Sequence, residues 1–114
     1  FDVNKNNENA GGHMREKYLE ELLIKAVKKR KGLALKLYSP SYIGVPDRLV
    51  LIAFGHVGFV ELKAPNKVAR PIQLKRHEEL RNLGFKVYVL DKKEEIEKIL
   101  DEIEGGRNDE LSTT

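Results

Sequence analysis

One stretch constrains the fold more than any other. Leu49-Val50-Leu51-Ile52-Ala53-Phe54 is an unbroken apolar run introduced by Gly44-Val45-Pro46-Asp47-Arg48. It lacks the alternation of a half-exposed strand and is far shorter than the roughly 20 residues that cross a bilayer. It therefore predicts a strand covered on both faces, which requires helices packed on a sheet. Gly55-His56-Val57-Gly58 has the composition of a hairpin turn, and Phe59 to Lys63 would be the returning strand. With the turn centred between His56 and Val57, Asp47 would face a residue near position 66. Pairing alone then does not bring Asp47 to Glu61, and a bulge or a splayed strand is required.

The surrounding pattern supplies the other layers. Leu19, Leu22, Leu23, Ala26 and Val27 are spaced as one helical face, predicting a helix from about Arg15 to Lys31 that stops at Gly32. Leu33, Leu35 and Leu37 alternate with Ala34, Lys36 and Tyr38, the period of a strand with one buried face. Ser39 to Pro46 holds two prolines and a glycine and is irregular. Pro71 suits the first turn of a helix ending near Gly84, and Lys86 to Leu90 is a fourth strand. Asp91 with Glu94 has the spacing of a capping box for a last helix, whose stripe is Ile96, Ile99, Leu100 and Ile103. The order is α-β-β-β-α-β-α, an α/β fold with no internal repeat.

Composition narrows the setting. The chain has no cysteine, which excludes a disulfide framework, a thiolate zinc site and a cysteine nucleophile, and fits a reducing cytoplasm. An apolar content of 40% with 34% charged residues fits one small domain, marginal alone and helped by a partner subunit. Phe1 to His13 is polar and ends in Gly-Gly-His before the single methionine, Met14, as an expression tag would. Gly105 to Thr114 is expected to be a frayed tail, leaving one domain over 14–104. The net charge of +3 is an average: residues 14–91 carry +8, and the acidic stretch 92–104 carries −3. A basic body of this kind suits a polyanionic partner.

The candidate chemistry sits at strand ends. There is no glycine-rich phosphate loop and no His-Glu-x-x-His helix. Asp47 is held at the mouth of the apolar strand by a stiff loop, and Glu61 and Lys63 share one strand face by period-two alternation. Converging carboxylates repel unless a cation lies between them, and hard oxygen ligands favour Mg²⁺ or Mn²⁺. A neighbouring lysine would orient an attacking water or steady a phosphorane-like centre. A solvated Glu-x-Lys strand face with Asp47 as a turn residue is the plainer alternative.

Gly44-Val45-Pro46-Asp47, Glu61-Leu62-Lys63-Ala64-Pro65 and Gln73 together resemble the VRR-NUC family, the virus-type replication-repair nucleases of the PD-(D/E)xK superfamily. The resemblance implies a restriction-endonuclease-like αβββαβ core, a mixed sheet flanked by helices, followed here by a C-terminal helix. It implies that Asp47, Glu61 and the main-chain carbonyl of Leu62 ligate the metal and that Lys63 positions the water. Gln73 would contact the metal-bound water or the scissile phosphate, or else serve as a plain helix N-terminal residue. The family also carries a glutamate on its first helix, for which Glu16 is favoured over Glu20 and Glu21. The implied activity is metal-dependent endonucleolytic cleavage of branched DNA such as four-way junctions by a homodimer, and no membrane partner is expected because no apolar run approaches the roughly 20 residues of a span. Lys36, Tyr38, Arg70, Lys75, Arg76 and His77 are the candidate DNA contacts, Arg70 and Arg76 ahead of the Lys28 to Lys31 cluster. Such contacts position a backbone without reading sequence.

Overall fold

The computed structural model describes residues 12–105. The first helix, α1, spans Gly12–Lys29 and so begins two residues inside the segment expected to be a tag. Residues 1–11 and 106–114, which hold the remainder of that segment and nearly all of the expected tail, lie outside the described residues. Leu19, Leu23 and Val27 are buried as the helical spacing requires, with Leu22 and Ala26 packed beside them. After the helix, Lys31 takes a left-handed φ of 64° and the chain turns through Gly32. A β-carbon on Gly32 would lie 2.5 Å from the main-chain oxygen of Leu51. Glycine is thus required there by close approach of two backbones. Gly32→Ala is expected to cost about 1–3 kcal/mol of stability, read as a lower urea midpoint with an unchanged m-value.

Four strands follow: β1 (Leu33–Lys36), β2 (Arg48–Ile52), β3 (His56–Leu62) and, after helix α2 (Pro71–Asn82), β4 (Lys86–Leu90). The sheet order is β1-β2-β3-β4. β1, β2 and β3 pair antiparallel, and β3 and β4 pair parallel, with α2 as the crossover. A 3₁₀ turn (Lys93–Glu95) leads into α3 (Ile96–Ile103).

One expectation about this sheet is corrected. The β2–β3 hairpin turns at Ala53-Phe54-Gly55, with Phe54 at φ 70°, and His56 already belongs to β3. An aromatic residue in the left-handed region is unusual, which is why composition placed the turn later. Arg48 therefore pairs with Val60, and the same register carried one residue further sets Asp47 opposite Glu61 without bulge or splay. In β1, Ala34 packs on the core while Leu33 and Leu35 are 58% and 43% exposed, so the leucine face is the open one.

The core lies on one side of the sheet. Val50, Ile52, Val60, Leu62 and Leu90 meet Leu19, Leu23 and Val27 of α1 and the Ile96, Ile99, Leu100 and Ile103 stripe of α3. Arg30 joins the two helices through ion pairs to Glu97, Asp101 and Glu104. The expected Asp91–Glu94 capping box does not form: the 3₁₀ turn is capped at Lys92 with no side-chain hydrogen bond. On the opposite side, alternation turns Glu61 and Val87 toward α2. The two buried residues of that helix are both polar, Gln73 and His77.

Candidate active site

The register of β2 and β3 builds the site before any side chain is considered. Asp47 and Glu61 sit opposite each other where the two strands end, and Asp47 Oδ2 accepts a hydrogen bond from the Leu62 N–H at 2.8 Å. That bond fixes the Asp47 carboxylate against the strand carrying Glu61. Lys63 follows at the same edge, its N–H donating to the Leu90 carbonyl of β4 at 3.0 Å. Its Nζ lies 3.9 Å from Glu61 Oε2. Asp47, Glu61 and Lys63 are thereby gathered at one end of the sheet.

Glu61 is 1% exposed and is held from α2. Gln73 Nε2 donates to Glu61 Oε2 at 2.7 Å, while Gln73 Oε1 accepts the Arg70 N–H at 2.8 Å. The second contact is the return half of a capping box at the helix start. Gln73 therefore both caps the start of α2 and holds the carboxylate, through its oxygen and one amide N–H.

Of the α1 glutamates, Glu16 reaches the site. Its Oε2 accepts the Ala64 N–H at 3.3 Å, directly after Lys63. Glu20 instead pairs with Arg48 at 2.8 Å, and Arg48 also donates to the Ala34 carbonyl, tying α1 to β1 and β2. Glu21 is exposed. Glu16, Glu20, Lys36, Asp47 and Leu62 line an open polar cleft of about 290 Å³.

The loop ahead of Asp47 is clamped onto α2, which the sequence reading missed. The Arg76 guanidinium stacks 3.8 Å over the Tyr42 ring, and its Nε donates to the Ile43 carbonyl at 2.8 Å. Tyr42 Oη donates to Glu79, which also pairs with Arg76. Gly44 sits beside this clamp at φ 95°, and a β-carbon there would meet Ile72 at 3.0 Å. The signal was available in the i, i+3 spacing of Arg76 and Glu79, but a tyrosine in an irregular loop gives no hint of its partner. Among the candidate DNA contacts, Lys36, Arg70 and Lys75 are exposed and Tyr38 is 84% exposed. Arg76 is engaged in the clamp. His77 is corrected: at 1% exposure, under α2 and facing Glu61, it cannot touch a phosphate.

The electrostatics are those of crowded acids. Burial, then the nearby Asp47 charge, pushes Glu61 up to about 7, and burial likewise raises Asp47 despite its bond from Leu62. His77 is pulled down by burial, with Arg81 and Lys63 adding to the effect. Glu61 Oε1 is buried without a hydrogen-bond partner. No group of three or more His, Cys, Asp or Glu converges as a metal cage among the described residues. What the site offers is two carboxylates, Asp47 and Glu61, in facing register at one end of the sheet. That donor set fits a hard divalent cation that keeps several of its waters.

No protein-family model matches the chain. It is 46% identical over 78 residues to a protein of Acyrthosiphon pisum secondary endosymbiont phage 1 described as "Putative nuclease p44", covering 68% of this chain and 84% of that one. A solved structure described as "VRR_NUC domain" matches with a TM-score of 0.71 at 30% identity, over 76% of this chain and 95% of the other. Sheet order, flanking helices and the acid-lined sheet end thus define an α/β nuclease domain. The chain belongs to the VRR-NUC family, as the motifs around Asp47, Glu61 and Gln73 had implied.

Proposed function

We propose that this protein is a metal-dependent endonuclease that hydrolyses phosphodiester bonds within branched DNA, four-way junctions foremost. The observation that carries the reading is the facing pair Asp47 and Glu61, with Lys63 beside them, at the open end of a sheet in a VRR-NUC fold. Asp47, Glu61 and the main-chain carbonyl of Leu62 would hold Mg²⁺ or Mn²⁺, which supplies charge stabilisation at the scissile phosphate and a more acidic water. Lys63 aligns the attacking water and adds positive charge where the phosphorus centre gains negative charge. Gln73 keeps the Glu61 carboxylate in place, and Glu16 braces the turn after Lys63.

Lys36 lines the cleft beside Asp47, and Lys36, Tyr38, Arg70 and Lys75 are all exposed and free to meet a polyanionic strand. They supply contacts to phosphate and sugar, so the enzyme selects shape rather than sequence. The working form is a homodimer in the cytoplasm of a bacterial or phage-infected cell. The open leucine face of β1 supports the first statement, since it leaves apolar surface for a second copy. No helix among the described residues is long and apolar enough to cross a membrane.

The test is a panel of junction, flap, nicked and linear DNA at one salt concentration, with Mg²⁺, Mn²⁺ or chelator. Junction cleavage that requires the cation is expected. Retention of DNA without cleavage under either cation would make the domain a binding module, and faster cutting of flaps or ends would reassign the substrate.

A further inference from the structure

His77 stands outside the roles described so far. It is as buried as Glu61, and its Nε2 and Glu61 Oε1 are the two buried side-chain polar atoms without a hydrogen-bond partner among the described residues. They face each other at 3.9 Å, about 1 Å beyond hydrogen-bond length. Gln73 and His77 are four positions apart, one turn of the helix, so one rigid helix delivers both to the same carboxylate, one at each oxygen. A carboxylate held at Oε2 alone can still rotate about its last torsion, and a donor at Oε1 fixes its plane. Burying two polar side chains as the inward contacts of α2, where leucines would pack at no desolvation cost, calls for a reason beyond folding.

We propose that His77 is a positioning residue for Glu61: its imidazole N–H closes onto Oε1 and, together with Gln73 on Oε2, fixes the carboxylate in the orientation that receives the divalent cation. The role is that of an outer partner orienting a ligand. It rests on the metal-dependent reading above.

The experiment titrates Mn²⁺ alone into the full-length protein without DNA, by calorimetry, for wild type, Glu61→Gln, His77→Leu and His77→Gln, with thermal unfolding of each metal-free protein. His77→Leu is expected to weaken Mn²⁺ binding roughly 10–100-fold without lowering the metal-free Tm, a combination that a purely structural histidine would not give. His77→Gln, whose amide can reach Oε1, should stay within a few-fold of wild type. Should the leucine variant not fold, His77→Asn, polar but too short to reach, replaces it in the same comparison. Wild-type affinity in the leucine variant, or equal loss in the leucine and glutamine variants, overturns the assignment while leaving the metal reading intact. Failure of the wild type to bind Mn²⁺ overturns both.

Discussion

Lys63→Ala is expected to slow cleavage of junction DNA roughly 10²–10³-fold under single-turnover conditions, the scale of losing one preorganised charge beside a reacting centre. DNA affinity measured without metal should change little, because the exposed Lys36, Arg70 and Lys75 remain. The partition follows from where Lys63 lies. Its side chain is largely withdrawn from solvent, 3.9 Å from Glu61, so in the proposed mechanism it would act at the reacting phosphate rather than along the distant backbone of the strand. Cleavage by the alanine variant at the wild-type rate would remove Lys63 from the site. A loss of affinity as large as the loss of rate would make it a binding residue instead.

The second large effect is on stability and needs no DNA. Glu61 is held at about 7 in the folded chain against 4.5 ordinarily. Below pH 4.5 the group is protonated in both states and contributes no difference. Between 4.5 and 7 the unfolded chain releases its proton while the folded one retains it, so folding weakens as pH rises. Above 7 the full penalty stands, about 3 kcal/mol for the metal-free protein. Asp47, also raised, adds in the same direction. His77 opposes them: with its pKa lowered, the unfolded imidazole gains its proton first, so stability falls as pH drops below the ordinary histidine value of 6.5. Comparing wild type with Glu61→Gln isolates the carboxylate. In urea titrations from pH 4.5 to 8, the glutamine variant should gain on wild type as pH rises, and Mn²⁺ should raise the wild-type Tm more at pH 8 than at pH 5. A stability difference that does not vary with pH would show that Glu61 ionises normally.

Much of this site was legible before any coordinates, and the failures have specific causes. The helices were readable because Leu19, Leu23 and Val27, and Ile96, Ile99, Leu100 and Ile103, keep one spacing and meet the same sheet face. The approach of Asp47 to Glu61 was underestimated because Phe54 occupies a backbone region that its residue type disfavours, which moves the turn and with it the register. In β1 the alternation was correctly read as a strand's, but alternation does not say which side is covered. The core and α1 cover the Ala34 side, and the larger side chains Leu33 and Leu35 are left outside. His77 was placed among basic residues of a DNA groove by its neighbours in sequence. Its spacing from Gln73 already put it on the inward face, and a polar side chain on that face was the available clue.

The polar underside of α2 has a practical corollary for anyone engineering this protein. Sequence optimisation aimed at heat resistance would be drawn to Gln73 and His77, since apolar replacements at both would dock the helix more firmly on the sheet. Directed evolution scored on residual fold after heating would be expected to enrich those replacements and to deliver a robust domain without turnover. Under the proposed roles of Gln73 and His77, durability and catalysis would compete for the same helix face, and a selection scheme must score both.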